Sequence, residues 1–199
     1  MNKKILITGG AGFIGSSLIN YLIKKGYKII NIDNLSNNKK YKIIKKSDFY
    51  KIDITNEKKL EKVFKYQSIN TVFHLAAKLN ISESQNNKFK YMYNNYSGTK
   101  ILVNLCKKYN IKNFIFASSC SVYGSSNIKI KETKKLNPCS NYAKSKKESE
   151  HYIIKKFSNS NTRYAILRYF NVVGANLKDN IGELSDNDHV IKNFCKQLY

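Results

Sequence analysis

The stretch Thr8-Gly9-Gly10-Ala11-Gly12-Phe13-Ile14-Gly15 restricts the fold of this chain more than any other. A short apolar run, Ile5-Leu6-Ile7, precedes it, and Ile14, Leu18, Ile19, Leu22 and Ile23 follow at helical spacing. The order is strand, glycine turn, helix. Gly9 permits a tight turn, Gly12 lets the backbone approach a pyrophosphate, and Gly15 lets helix and strand pack closely. The start of the helix then offers unpaired N–H groups and a partial positive charge to phosphates. Three glycines alone are ordinary turn formers. The flanking strand and helix make a dinucleotide site the better reading.

A second strand over residues 28–32 ends at Asp33. A carboxylate there accepts hydrogen bonds from the adenosine ribose and repels a 2′-phosphate, which favours NAD over NADP. Asp33 also suits a turn, but it lies 18 residues past Gly15 (33 − 15), near the usual spacing of about 20. Lys39 and Lys40 follow closely and leave NADP open. Residues 49–54 read as a third strand, with Asp53 placed to meet the adenine. Thr55 is the expected cap of a helix running to about Tyr66. Residues 71–75 form a fourth strand, apolar but for His74, which is read as structural; the small Ala76 and Ala77 follow it.

From about Ser84 to Tyr109 the pattern is one long helix, broken in polarity at Asn94-Asn95. Residues 113–117 are the fifth strand and run into Ser118-Ser119. A loop leads to Pro138, the only proline, then a helix over 141–157 and a sixth strand over 163–168, closed by Phe170-Asn171. Alternating strands and helices imply an α/β fold, a doubly wound parallel sheet of Rossmann type. Ligands of such sheets bind at the carboxyl ends of the strands, where the strand order reverses. The glycine turn, Asp33, Ala76, Ser119 and Asn171 all fall at such ends. A last helical segment is expected over 189–199.

The chain has 36 basic and 13 acidic residues, a net charge of +23, which invites a nucleic-acid reading. Only Arg163 and Arg168 are arginines, and the lysines are spread along the whole chain among abundant Asn, Ile and Tyr, a composition that A/T-rich codons explain. A specific nucleic-acid partner is not expected. No apolar run approaches about 20 residues, so no membrane span is expected. Cys106, Cys120, Cys139 and Cys195 form no CxxC pair and no metal spacing; they read as reduced thiols of a cytoplasmic protein without a metal site.

Tyr142 and Lys146 lie one helical turn apart and share a face. The spacing alone proves little, since Tyr21/Lys25, Tyr41/Lys45, Tyr96/Lys100 and Tyr152/Lys156 repeat it. Ser119 sets this pair apart, because it ends the preceding strand beside the expected nicotinamide. A phenol of pKa about 10 is a poor base at neutral pH. The Lys146 ammonium and a positive nicotinamide are both expected to lower the pKa of Tyr142. Tyr142 could then take a proton from a substrate hydroxyl while hydride passes to NAD, with Ser119 bonded to the same oxygen and Lys146 holding the nicotinamide ribose.

With these residues in view, the chain resembles the extended short-chain dehydrogenase/reductase superfamily and, within it, the UDP-glucose 4-epimerase family. The resemblance is carried by TGGAGFIGS from Thr8, IDNLSN from Ile32, DI at Asp53, HLAA from His74, NNYSGT from Asn94, FIFASSCSVYG from Phe114, YAKSK from Tyr142 and LRYFNVVGA from Leu167. It implies 4-epimerisation of UDP-glucose and UDP-galactose through a 4-keto sugar. By motif position it implies NAD contacts from Gly9, Gly12, Phe13, Ile14, Gly15, Asp33, Asn34, Leu35, Ser36, Asn37, Asn38, Asp53 and Ile54. Leu75, Ala76, Ala77, Lys78, Leu79, Asn95, Ser119, Tyr142, Lys146 and Phe170 complete that set. Ser119, Tyr142 and Asn171 would touch the sugar nucleotide. Where the family carries a lysine after HLAA, this chain has Leu79, with Lys78 one place before.

Superfamily dehydratases and decarboxylases place acids before the VYG tripeptide; Cys120-Ser121 stand there in this chain, which favours epimerisation. The resemblance also implies a smaller lobe past Tyr199 that grips the uridine diphosphate. Residues 1–175 are therefore read as the NAD-binding domain and 176–199 as the beginning of that lobe. These 199 residues are expected to bind NAD and to epimerise poorly. A homodimer is implied through the long helix from Ser84 and the Tyr142 helix. UDP-glucuronate or UDP-N-acetylhexosamine epimerases and a non-catalytic NAD-binding fragment stay open as alternatives.

Overall fold

Apolar side chains at every second position of short runs build the sheet from the inside. The computed structural model describes residues 4–36, 43–176, 178–179, 181–182, 194 and 197. Its strands are β1 (Lys4–Thr8), β2 (Ile29–Asp33), β3 (Asp48–Lys51), β4 (Ile69–His74), β5 (Asn113–Ser119) and β6 (Arg163–Tyr169). All pair in parallel in the order β3-β2-β1-β4-β5-β6. That is the doubly wound order of dinucleotide-binding sheets, and the winding reverses between β1 and β4.

The helices are α1 (Phe13–Lys24), α2 (Glu57–Tyr66), α3 (Ile81–Asn86), α4 (Lys88–Tyr91), α5 (Gly98–Lys108) and α6 (Asn141–Phe157). Leu6, Ile30, Ile32, Val72, Phe114 and Phe116 bury one face of the sheet against Leu60 and Phe64 of α2, Leu102 of α5 and Ile153 and Phe157 of α6. Ile5, Ile7 and Ile29 bury the other against Ile19 of α1. Each such side chain, fully buried, contributes about 1.5–3 kcal/mol. This packing fixes the strand ends on which the site is built.

Several boundaries differ from the sequence expectations, each for a local reason. The third strand ends at Lys51 and not at Ile54, because Asp53 Oδ1 accepts from the N–H (2.9 Å) and hydroxyl (2.6 Å) of Thr55 and turns the chain. With its hydroxyl so engaged, Thr55 does not cap α2. Asn56 does, accepting from the Lys59 N–H at 3.1 Å. The long helix from Ser84 is α3, α4, a π-helical stretch Met92–Ser97 and α5. The π stretch frees the Asn95 carbonyl to accept from the hydroxyls of Thr99 (2.6 Å) and Ser149 (3.4 Å). α6 has its expected bounds, with Ser140 accepting from the Ala143 N–H at 3.0 Å. Past β6, Asp179 accepts from Asn20 Nδ2 (2.8 Å) and Lys24 Nζ (2.6 Å), which ties that turn to α1. The segment 189–199 lies almost wholly outside the described residues.

Candidate active site

A crevice of about 580 Å³ opens over the carboxyl ends of the strands, at the reversal between β1 and β4. Its floor at one end is the glycine turn. Gly9 has φ +73°, and a Cβ there would lie 2.7 Å from the Ala76 nitrogen. A Cβ on Gly15 would meet the Gly9 carbonyl oxygen at 2.2 Å, so this glycine seats α1 against the turn. Gly12 differs. A Cβ there would meet only the Gly9 oxygen, at 3.4 Å, and would otherwise take up space in the crevice. α1 begins at this point with no side-chain cap and no acidic residue in its first turn. Its first N–H groups are thus left for an anion. Phe13 and Ile14 line the same end.

Asp33 closes the neighbouring wall. Its carboxylate accepts the Ala11 N–H at 3.1 Å and the Leu35 N–H at 2.8 Å, and Leu35 has φ +60°. Burial pushes its pKa up and the two backbone bonds pull it partly back. A carboxylate has about four acceptor positions, so two remain for ribose hydroxyls. Asn34, Leu35 and Ser36 also line the crevice, while Asn37 and Asn38 lie outside the described residues. Ile54, Leu75, Ala76, Ala77 and Leu79 complete this part of the wall.

Three residues expected to touch the cofactor are set behind the wall. Asp53 accepts from Asn34 Nδ2 at 2.6 Å and from Thr55; burial raises its pKa, but the Thr55 and Asn34 bonds and nearby Lys78 outweigh it and hold the carboxylate low. Asn95 is buried, accepts from the Lys78 N–H at 2.8 Å, and donates to the Lys78 carbonyl at 3.1 Å and to Ser145 Oγ at 3.1 Å. The Lys78 ammonium donates to Ser36 Oγ at 3.4 Å. These residues hold Asn34 and the segment after β4 in place. Sequence position brought them near the site without showing that their polar atoms were already engaged.

At the far end the crevice is lined by Ser119, Tyr142, Lys146, Phe170 and Asn171. The Ser119 hydroxyl stands beside the Tyr142 phenol and favours its ionised form. Ser119 Oγ in turn accepts from the N–H (3.2 Å) and hydroxyl (2.9 Å) of Ser121. Ser121 was not among the expected residues; its place two after Ser119, in a Ser-x-Ser turn, is the signal that could have found it.

The expected lowering of the Tyr142 pKa is not what the structure has. Burial raises it, Ser119 pulls it partly down, and Cys120 pushes it up. The reason is the placement of Lys146. Its ammonium donates to the Ala117 carbonyl at 2.7 Å and sits 4.8 Å from the Phe116 ring centroid, against 6.0 Å for the Tyr142 ring. Burial pushes its own pKa down to about 7, with Glu150 opposing. His74, read as structural, is buried between the hydroxyls of Thr8 (2.8 Å) and Thr99 (2.9 Å), and burial with help from Lys146 lowers its pKa to about 3.

An anion-ready helix start over an open glycine, a carboxylate with free acceptor positions and an apolar floor together fit a dinucleotide. Among the described residues no cluster of His, Cys, Asp and Glu could hold a metal. No helix of the described residues is long and apolar enough to cross a membrane.

The model of the NAD dependent epimerase/dehydratase family matches residues 5–199. A UDP-glucose 4-epimerase of Schizosaccharomyces pombe is 36% identical over 192 residues, covering 90% of this chain and 54% of that protein. One of Dictyostelium discoideum is 37% identical, covering 92% and 56%. Among solved structures, a UDP-glucose 4-epimerase superposes with TM-score 0.92 at 32% identity, covering 98% of this chain and 60% of that one. The Brucella ovis UDP-glucose 4-epimerase in complex with NAD superposes with TM-score 0.89 at 34% identity, covering 96% and 59%. The chain thus spans little more than half the length of the relatives it matches.

Proposed function

Because the chain belongs to the NAD-dependent epimerase/dehydratase family, we propose that it binds NAD in this crevice and serves the 4-epimerisation of a UDP-hexose, UDP-glucose and UDP-galactose. The observation that carries the proposal is the layout of one crevice. The phosphate cradle and Asp33 stand at one end, and Ser119, Tyr142 and Lys146 at the other. NAD, when bound, supplies a hydride acceptor and a positive charge. Ser119 stands beside Tyr142, so a sugar hydroxyl placed between them can give its proton to the Tyr142 phenolate as its carbon gives up hydride. Lys146, when charged, opposes the rise that burial causes in the phenol. Cys120 and Ser121 line the crevice where an elimination would need a side-chain acid, which supports epimerisation over dehydration.

Asn171, exposed at the end of β6, is the proposed contact for the sugar nucleotide. Solved relatives include a UDP-glucose 4-epimerase with UDP-glucose and another with NAD and UDP. An N-acetylated UDP-hexose is the second reading, supported by a UDP-N-acetylglucosamine 4-epimerase of Methanobrevibacter ruminantium at 36% identity and TM-score 0.79. The proposed protein is cytoplasmic, on its scattered thiols. It is proposed to be homodimeric, with Phe89 and Tyr93 stacked on an exposed surface of the Ser84–Tyr109 region.

The test is NAD titration by calorimetry, followed by UDP-galactose with absorbance of reduced cofactor and of UDP-glucose product recorded. Wild type should bind NAD. Tyr142→Phe should bind it within about threefold and lose about 10²–10⁴ in turnover, the usual worth of a positioned acid–base group. Absence of NAD binding in wild type, or full turnover by Tyr142→Phe, would overturn the proposal.

A further inference from the structure

The last three residues of β5 each meet one residue of α6. Ser119 stands beside Tyr142, the Ala117 carbonyl accepts from Lys146 at 2.7 Å, and the Ser118 hydroxyl donates to Glu150. Positions 142, 146 and 150 follow one another by one helical turn. Glu150 is fully buried, and it is gripped from a second side. Arg168 of β6, in register with Ser118, donates to it through Nη2 (2.8 Å to Oε2) and Nε (3.1 Å to Oε1). Arg168 is itself held by Tyr123 Oη (2.9 Å) and the Glu132 carbonyl (3.1 Å).

A buried ammonium needs either a counter-charge or to give up its proton. The titratable and charged groups around Lys146 are Tyr142 and Glu150 on its own helix, His74 on β4, Cys120 just past β5 and Arg168 on β6. His74 is kept neutral by burial, and burial likewise raises the Tyr142 phenol and the Cys120 thiol. Glu150, gripped by Ser118 and Arg168, is the counter-charge one turn along the same helix.

We propose that Glu150 is a positioning residue for the reaction: held between Ser118 and Arg168, one helical turn past Lys146, its carboxylate favours the charged form of that lysine. This rests on the enzymatic role given above for Tyr142 and Lys146. Removal of the carboxylate charge takes away the counter-charge that favours the ammonium and leaves burial unopposed. Lys146 then gives up its proton more readily. The lysine then loses the charge that opposes the rise in the phenol.

The experiment is a pH titration of the Lys146 ε-carbon by NMR, in the full chain with carbon-13 lysine, the signal being identified by its loss in Lys146→Met. In Glu150→Gln, which keeps the shape and removes the charge, the midpoint should fall by about one pH unit or more, a tenfold change in protonation. An unchanged or raised midpoint overturns the proposal. A purely structural role would lower the melting temperature and leave the midpoint in place. The double variant Glu150→Gln/Arg168→Met removes the Glu150–Arg168 ion pair as a whole and guards against a single variant that does not fold. Its midpoint should lie below that of wild type, and one at or above wild type overturns the proposal equally. Neither NAD nor sugar enters the titration. A failure of the enzyme assignment would show separately, as wild type that does not bind NAD.

Discussion

Acid should unfold this protein through His74 before most of its carboxylates matter. The ring is buried between Thr8 and Thr99, and its pKa falls from 6.5 to about 3. The folded pKa lies below the unfolded one, so the unfolded chain takes up the proton first. The stability contributed by the neutral ring is whole above pH about 6.5 and is lost as pH falls towards about 3. At pH about 4.5 the unfolded ring is protonated about 100-fold over its neutral form, while the folded ring hardly is. Two units at 1.36 kcal/mol each give a loss of about 2.7 kcal/mol relative to pH 7. With the ring fully buried, solvent does not discount that figure.

The perturbation is His74→Gln, which can still donate and accept between the two threonines but does not titrate. Urea unfolding followed by circular dichroism at both pH values gives four stabilities. All other groups are common to the two proteins, so the difference between their pH losses isolates the ring. Wild type should lose about 2–3 kcal/mol more than His74→Gln. Equal losses would refute the claim that this histidine is held neutral.

Lys146 gives the opposite limb. Its folded pKa of about 7 lies below the ordinary 10.5, so wild type should gain about 2 kcal/mol between pH 7 and 9, and Lys146→Met should not, by the same unfolding assay. Gly15→Ala puts a methyl 2.2 Å from a backbone oxygen, and the turn must shift. It should cost about 1–3 kcal/mol of stability and at least tenfold in NAD affinity by calorimetry. Arg168→Leu strands the buried Glu150 carboxylate, and thermal unfolding should report about 3 kcal/mol lost.

The sheet was legible because its signals are local. Ile5-Leu6-Ile7, Phe114-Ile115-Phe116 and the glycine turn each carry their own pattern. The bounds of α6 follow from Ser140 before it and the apolar spacing within it. What was not legible depends on partners far away in the chain. Asp53 is expected in contact with adenine, and the local pattern did not show that Asn34, 19 residues before it, also bonds its carboxylate. The rise in the Tyr142 pKa follows from burial and from the turn of Lys146 towards Ala117, which no helical spacing encodes. Glu150 carries no signal of its own in the lysine-rich stretch, because its partners Ser118 and Arg168 stand on two other elements.

The π stretch Met92–Ser97 carries one residue more than an α-helical path of the same rise would need. Everything downstream on that rod is therefore rotated by roughly a third to a quarter of a revolution, at about 100° per residue. Deleting a single residue there would restore regular winding and swing Leu102, Leu105 and Cys106 from the sheet towards water, while Asn95 would leave Lys78. Homologues should accept insertions in the loops flanking this region far more readily than any change of length inside it.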